Sequence, residues 1–370
     1  MKNDGRKREV LGLGVFFVVS GCATIAGLDQ DYQQAPVCEP TLPPSAPSVK
    51  DVAGDNEVVL AIKRVDLDEE DEIPRFGYDV DGKCSCTIDE QSCAKPEWLD
   101  SKKFVCDDEH GVDNGAGIAL ARINLIAGGA VTSSLLNEGV LDGLWSLLVR
   151  IRGYSGTPDD DKVSVVVYET PGTMTPPVWD GSTTWPVSNT SVAAGSMNVD
   201  DAVFLDNAAY VRGSVLVAHL PEIRLLFRAL TVRLPITIFQ TTLTAKIVDL
   251  GGGQFHLSEG TISGIWRQPD MFKAMSGFRY GDNGTDKLCT NNLTYLQVRN
   301  LFCSVTDLYD PNSTQTGMGG GNAAMPECNA VSFGMRFDAD PVVLGAVMDP
   351  PPPPMDACPV GSDPTDDACR

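Results

Sequence analysis

Hydrophobic and polar positions alternate with a period of two through much of the chain's middle and end. Trp145, Leu147, Val149 and Ile151 fall on one face, with Arg150 and Arg152 on the other. Val163, Val165 and Val167 repeat the pattern after a turn at Thr157-Pro158-Asp159. Val232, Leu234, Ile236 and Ile238 form another inward set, and the parity then switches to Leu243, Ala245 and Ile247. A period-two pattern changes phase in this way only through a bulge or turn, placed here near residues 240–242. Gly251-Gly252-Gly253 turns the chain toward Phe255 and Leu257, with Ile262 and Trp266 beyond. Val331, Phe333, Met335 and Phe337 make a last inward set, and residues 56–65 (NEVVLAIKRV) a first strand.

Helical spacing is confined to three places. Residues 117–128 (GIALARINLIAG) are almost wholly apolar and predict a buried helix, with a second short one over 133–139. Near Thr294 a third begins: Thr294 with Gln297 fits a capping box, and Val298, Leu301, Phe302, Val305, Leu308 and Tyr309 keep helical spacing. Many strands, frequent turns and few helices predict a mainly β fold. The form expected is an antiparallel β-sandwich or jelly-roll-like body with a few helices and disulfides.

The N-terminus departs from this pattern. Lys2, Arg6, Lys7 and Arg8 precede a short apolar run, residues 10–20 (VLGLGVFFVVS). That run is about half the ~20 residues a spanning helix needs. It leads into Val19-Ser20-Gly21-Cys22, which resembles the lipobox of bacterial lipoproteins. Residues 1–21 thus read as a lipoprotein signal peptide and Cys22 as the lipidated residue. Two or three acyl chains on one cysteine suffice for stable attachment, since each buried methylene contributes about 0.8 kcal/mol. Residue 23 is Ala rather than the Asp that retains lipoproteins at an inner membrane, so the expected location is the outer membrane.

Residues 22–50 hold Pro36, Pro40, Pro43, Pro44 and Pro47 and read as a semi-stiff tether. Residues 51–110 form an acidic, cysteine-rich segment, 111–348 the β-rich globular domain, and 349–370 a Pro-rich disulfide tail. In that tail Cys358 and Cys369 could close a small loop.

The formal charge is -22, with 28 Lys and Arg against 50 Asp and Glu. Loss of residues 1–21 removes four bases and two acids and leaves about -24. Such a chain repels nucleic acid and suits divalent cations or basic partners. Of the 11 cysteines, setting Cys22 aside for lipid leaves an even number, which in an exported chain reads as disulfides. A metal cluster is the poorer reading, because Cys84-Ser85-Cys86 lacks zinc-knuckle spacing.

Candidate chemistry is sparse. Asp79 and Asp81 precede Cys84; Asp107, Asp108, Asp113 and Asn114 follow Cys106. Disulfides could gather these oxygens around Ca2+, although the EF-hand pattern is not met. The competing reading is turn-forming Asp and Asn on a solvated surface. Trp179 and Trp185 lie in a polar loop (PPVWDGSTTWP) and are candidates for stacking on a surface glycan or anchoring a protein; the alternative is that both cap the sheet. No G-x-S-x-G, HExxH or Walker A motif occurs in the sequence, and His110, His219 and His256 are scattered.

The start of the mature chain, Cys22-Ala23-Thr24-Ile25-Ala26-Gly27-Leu28-Asp29, resembles that of predicted lipoproteins of myxobacteria. So do Asp79 to Cys93 (DVDGKCSCTIDEQSC), Gly111-Val112-Asp113-Asn114 and Cys328-Asn329-Ala330-Val331-Ser332-Phe333-Gly334. The resemblance implies an envelope location and no particular reaction. The leading expectation is a membrane-anchored, non-enzymatic binding or scaffolding domain at the cell surface. A glycan-acting hydrolase and a carrier of apolar ligands are the alternatives; a dry internal tunnel would mark the carrier.

Overall fold

The computed structural model describes residues 39–48, 54–69, 73–85, 92–95, 105–126, 131–281, 283–313, 325–352 and 357–369. In chain order the strands are β1 (Asn56–Asp66), β2 (Leu147–Tyr154), β3 (Asp160–Glu169), β4 (Thr184–Ser188), β5 (Leu205–Arg212), β6 (Val215–Arg228), β7 (Arg233–Gly251) and β8 (Gln254–Arg267). The short β9 (Arg279–Tyr280) and β10 (Asp286–Lys287) follow, then β11 (Ala330–Pro341) and β12 (Val343–Met348). The helices are α1 (Gly115–Ile126), α2 (Ser133–Leu141), α3 (Gln268–Gly277) and α4 (Leu293–Val305).

The fold is mainly β, as the alternation predicts, with a large antiparallel sheet, helices and disulfides. The sheet runs β7-β6-β5-β3-β2-β1-β11-β8, and β7 also pairs with β8. The ring therefore closes, with every neighbour antiparallel. It is an eight-stranded up-and-down barrel, so the two layers expected to pack face to face are opposite walls of one sheet. Closure removes the exposed edges an open sheet presents.

One cluster of buried residues draws on all eight strands. It includes Leu60, Val149, Val165, Val211, Leu216, Leu243, Leu257 and Phe333, and the inward sets predicted from the alternation belong to it. Eight strands enclose a space that side chains can fill, and here they bridge it. Tyr154 on β2 meets Phe255 on β8 at 5.5 Å between ring centroids. At the other end Trp145, before β2, meets Phe227 on β6 at 4.9 Å.

The predicted phase change is present. Gln240 takes φ 49°, and the β7–β8 register shifts between Phe239 and Thr242. Burial on β6 changes phase at the same level, from Leu216, Ala218 and Leu220 to Ile223, Leu225 and Phe227. Because both strands slip together, their mutual register is kept. Such bulges let long strands bend around a barrel.

The helices gather at the end where β1, β3, β6 and β8 finish. Trp145 Nε1 donates to Leu136 O at 3.0 Å, and Trp266 meets Phe302 edge-on at 5.2 Å. A void of about 20 Å³ is left among Leu120, Ile123, Trp266, Met275 and Phe302. The capping-box expectation needs correction. The cap of α4 is Asn292, whose side chain accepts from Tyr295 N at 2.6 Å, two residues before the expected position. The helix also ends at Val305, so Leu308 instead bridges to Ala330.

The outer face of β1–β3 is apolar too. Ala61, Leu148, Val166 and Tyr168 are covered by β4 and β12, a two-stranded parallel sheet, with Trp185 and Val187 between. Near-continuous apolar runs such as Leu147-Leu148-Val149 are what a strand buried on both faces requires.

The C-terminal segment is stapled to the helical end rather than closed on itself. Cys358 pairs with Cys289 and Cys369 with Cys303, which corrects the Cys358–Cys369 loop read from the sequence. Arg299 pairs with Asp367 at 3.1 Å, and Ser276 donates to Asp363 at 3.0 Å. The Pro-rich segment is docked as well where it is described: Thr41 N donates to His110 O, Asp79 N to Thr41 O, and Tyr210 Oη to Pro44 O.

Candidate functional site

The outer wall formed by β7, β8 and β11 presents the hydroxyls of Thr244, Ser263 and Ser332 beside a small apolar cluster of Ile265, Ala330 and Leu308. Residues 73–85 and 105–114 lie on it. Tyr78 N donates to Ser263 Oγ at 3.2 Å, and the Tyr78 hydroxyl meets Thr244 Oγ1 at 2.7 Å. Gly334 permits the close approach, since a Cβ there would stand 1.9 Å from Phe76 O. Here the structure collects an acidic cluster.

Turn chemistry sets each carboxylate. Asp79 Oδ1 accepts from Gly82 N at 2.6 Å and Lys83 N at 3.2 Å, with Gly82 at φ 76°. Asp81 Oδ1 accepts from Lys83 N at 2.9 Å, and Ser92 Oγ donates to its other oxygen. Asp113 Oδ2 accepts from Val80 N at 2.7 Å, which ties the two segments together. Asp107 Oδ2 accepts from Ser85 N at 2.5 Å. Carboxylate oxygens of Asp79, Asp81 and Asp113 lie within 4.8 Å of one another. Asp79 and Asp113 are only 7 % and 1 % exposed.

Electrostatics follow from that crowding. Burial, then the charges of Asp107 and Asp79, raise Asp81 to about 7. Burial raises Asp107 to about 6. Asp113 is pushed well above the carboxylate range by burial and by Asp307, Asp107 and Asp81. Groups this close cannot all ionise without a compensating positive charge.

Of the residues expected to converge, Asp79, Asp81 and Asp113 do, with Asp107 beside them. Asp108 is used locally: its Oδ1 accepts from His110 N and Val112 N, both at 2.8 Å. Asn114 is a structural hub. Its Oδ1 accepts from Gly117 N at 3.1 Å and Gly334 N at 2.8 Å, fixing the start of α1 to β11.

Asp307 was not foreseen. It follows α4, accepts from Ser332 N at 2.8 Å, and its charge acts on Asp81, Asp107 and Asp113. The Cys93–Cys328 disulfide brings it near, with Cys93 Sγ 3.1 Å from Asp307 O. Lys95 reaches the carbonyls of Ser304 and Thr306, and burial lowers it to about 8 despite the pull of Asp307. No local motif marks Asp307; its contribution depends on a contact across more than 200 residues.

Trp185 is fully buried and cannot offer a ring face to a sugar. Trp179 is half-buried, 5.9 Å from Trp185 between ring centroids, with Lys63 Nζ 5.6 Å from its ring centre. Both act as covers of the outer layer. Cys22 and the residues before it lie outside the described residues.

The arrangement is anionic and built wholly of oxygen donors, which suits a hard cation. No family model, curated protein or solved structure matches this chain.

Proposed function

We propose that the chain is exported, cut before Cys22 and held on a membrane, with the outer membrane as the expected site, by lipid on that cysteine. Its barrel serves as a non-enzymatic binding or scaffolding module at the cell surface. The observation that carries this reading is the sequence Val19-Ser20-Gly21-Cys22 directly after a short apolar run and a basic N-terminus. The disulfides support it, because Cys93–Cys328, Cys289–Cys358 and Cys303–Cys369 suit an oxidising compartment. Side chains meeting across the barrel weigh against a carrier of apolar ligands. The clustered carboxylates of Asp79 and Asp113 are buried, which weighs against a hydrolase working on glycan from them.

Intact-mass analysis of the protein from membranes tests the anchor. The expected mass starts at Cys22 with acyl chains added, and Cys22→Ala releases the protein from the membrane fraction. An unmodified N-terminus elsewhere in the chain overturns the reading.

A further inference from the structure

We propose that Asp79, Asp81 and Asp113 bind one hard divalent cation, Ca2+ by preference, with Asp107 and Asp307 supplying further negative charge around it. This does not depend on how the chain is anchored.

Beyond the clustering of acids, one atom points to a ligand. Asp79 is 7 % exposed, and its Oδ1 already serves two backbone amides. Its Oδ2 is buried and, among the described residues, meets no N–H or hydroxyl donor. A carboxylate oxygen held out of water without a donor is unfavourable unless a positive charge meets it. The room beside it is set by Gly111, at φ 69°, where a Cβ would stand 3.3 Å from that same oxygen.

Coordination chemistry favours the larger ion: Ca2+ takes about six to eight oxygens in flexible geometry, whereas Mg2+ demands a near-ideal octahedron. The three carboxylates lie within 4.8 Å of one another. Mg2+ also keeps several waters and is seldom held by an all-protein cage. Asp81 is partly exposed, which leaves an entry path.

The cation would join the turn at residues 79–82 to the stretch leading into α1. Asp79 N donates to Thr41 O, and Thr41 N donates to His110 O. Loading the site therefore also fixes the chain that leads back toward the N-terminus.

The test uses the full-length chain in detergent, stripped with EDTA, at neutral pH. Equilibrium dialysis with radioactive Ca2+ is expected to show one ion per chain, saturating between about 10 μM and 1 mM. Equal Mg2+ should not displace it. Asp79→Asn and Asp113→Asn should each abolish saturable binding, whereas Asp55→Asn, at an exposed position, should keep it. Hydrogen exchange on the unaltered chain supplies a second readout if the variants fail to fold: Ca2+ should slow exchange in residues 76–85 and 105–114. No saturable binding up to ~10 mM, well beyond the weak end for extracellular sites, overturns the proposal. So does protection confined to other segments, or binding that survives both substitutions.

Discussion

Replacing Cys93 and Cys328 together by Ala isolates what one disulfide contributes. The bond joins residues 235 apart, linking the cysteine-rich segment to the start of β11. In the chain-entropy description, closing a loop of that length removes freedom from the unfolded chain worth roughly 5 kcal/mol. The Cys289–Cys358 and Cys303–Cys369 bonds offer an alternative path of similar length. Because the dependence on length is logarithmic, they barely change the figure. Both sulfurs are buried, so lost packing adds to the effect rather than offsetting it. Against total stabilities of about 5–15 kcal/mol, this is a large fraction. With a urea slope of about 3 kcal/mol per molar for a domain of this size, the midpoint should fall by about 1.7 M or more. Urea unfolding followed by tryptophan fluorescence, with the oxidised unaltered chain alongside, measures it. A fall below about 0.3 M, or roughly 1 kcal/mol, would refute the loop-entropy reasoning.

Two further outcomes follow from the packing and the buried charges. Trp185→Ala empties a fully buried site between β4, β12 and the barrel and should cost about 3–5 kcal/mol. Trp179→Ala, half-buried beside it, should cost clearly less in the same melts, and equal costs would contradict the layer described. Burial raises Glu169 above the ordinary carboxylate range, with Thr190 Oγ1 donating to it at 2.5 Å. The folded chain then holds a proton that the unfolded chain has already lost, so this group's contribution to stability falls as pH rises above the ordinary glutamate range. Glu169→Gln should match the unaltered chain at pH 4 and gain on it toward pH 8; a difference in stability that stays flat with pH would count against the burial of this carboxylate.

Much of the barrel was legible in the residues. Alternation marked the inward faces of β2, β3, β7 and β11, and the slip after Ile238 marked a bulge, because side chains in a strand point to alternate faces whatever their neighbours do. The buried apolar segment before residue 128 announced α1 for the same local reason. Closure into a barrel was not legible, since it depends on β7 and β8 pairing in register and on β11 reaching both β8 and β1. Local sequence also misplaced the cap of α4. Thr294 and Gln297 have the right spacing, but Asn292 reaches the free amide first.

The acidic site divides in the same way. Its turns are local: Asp79, Asp81 and Gly82 fold back on their own amides, and a sequence read in order shows them. Cysteine parity likewise implied disulfides, while the partners of Cys358 and Cys369 had to come from α4 and the residues before it. The meeting of Asp79, Asp81 and Asp113 with Asp307 was decided by tertiary structure alone. It needs Gly334 to let residues 73–85 lie against the outer wall, and the Cys93–Cys328 bond to carry distant segments together. Sequence fixes each residue's chemistry and its nearest turn; which charges share one buried space depends on contacts between segments that no local pattern encodes.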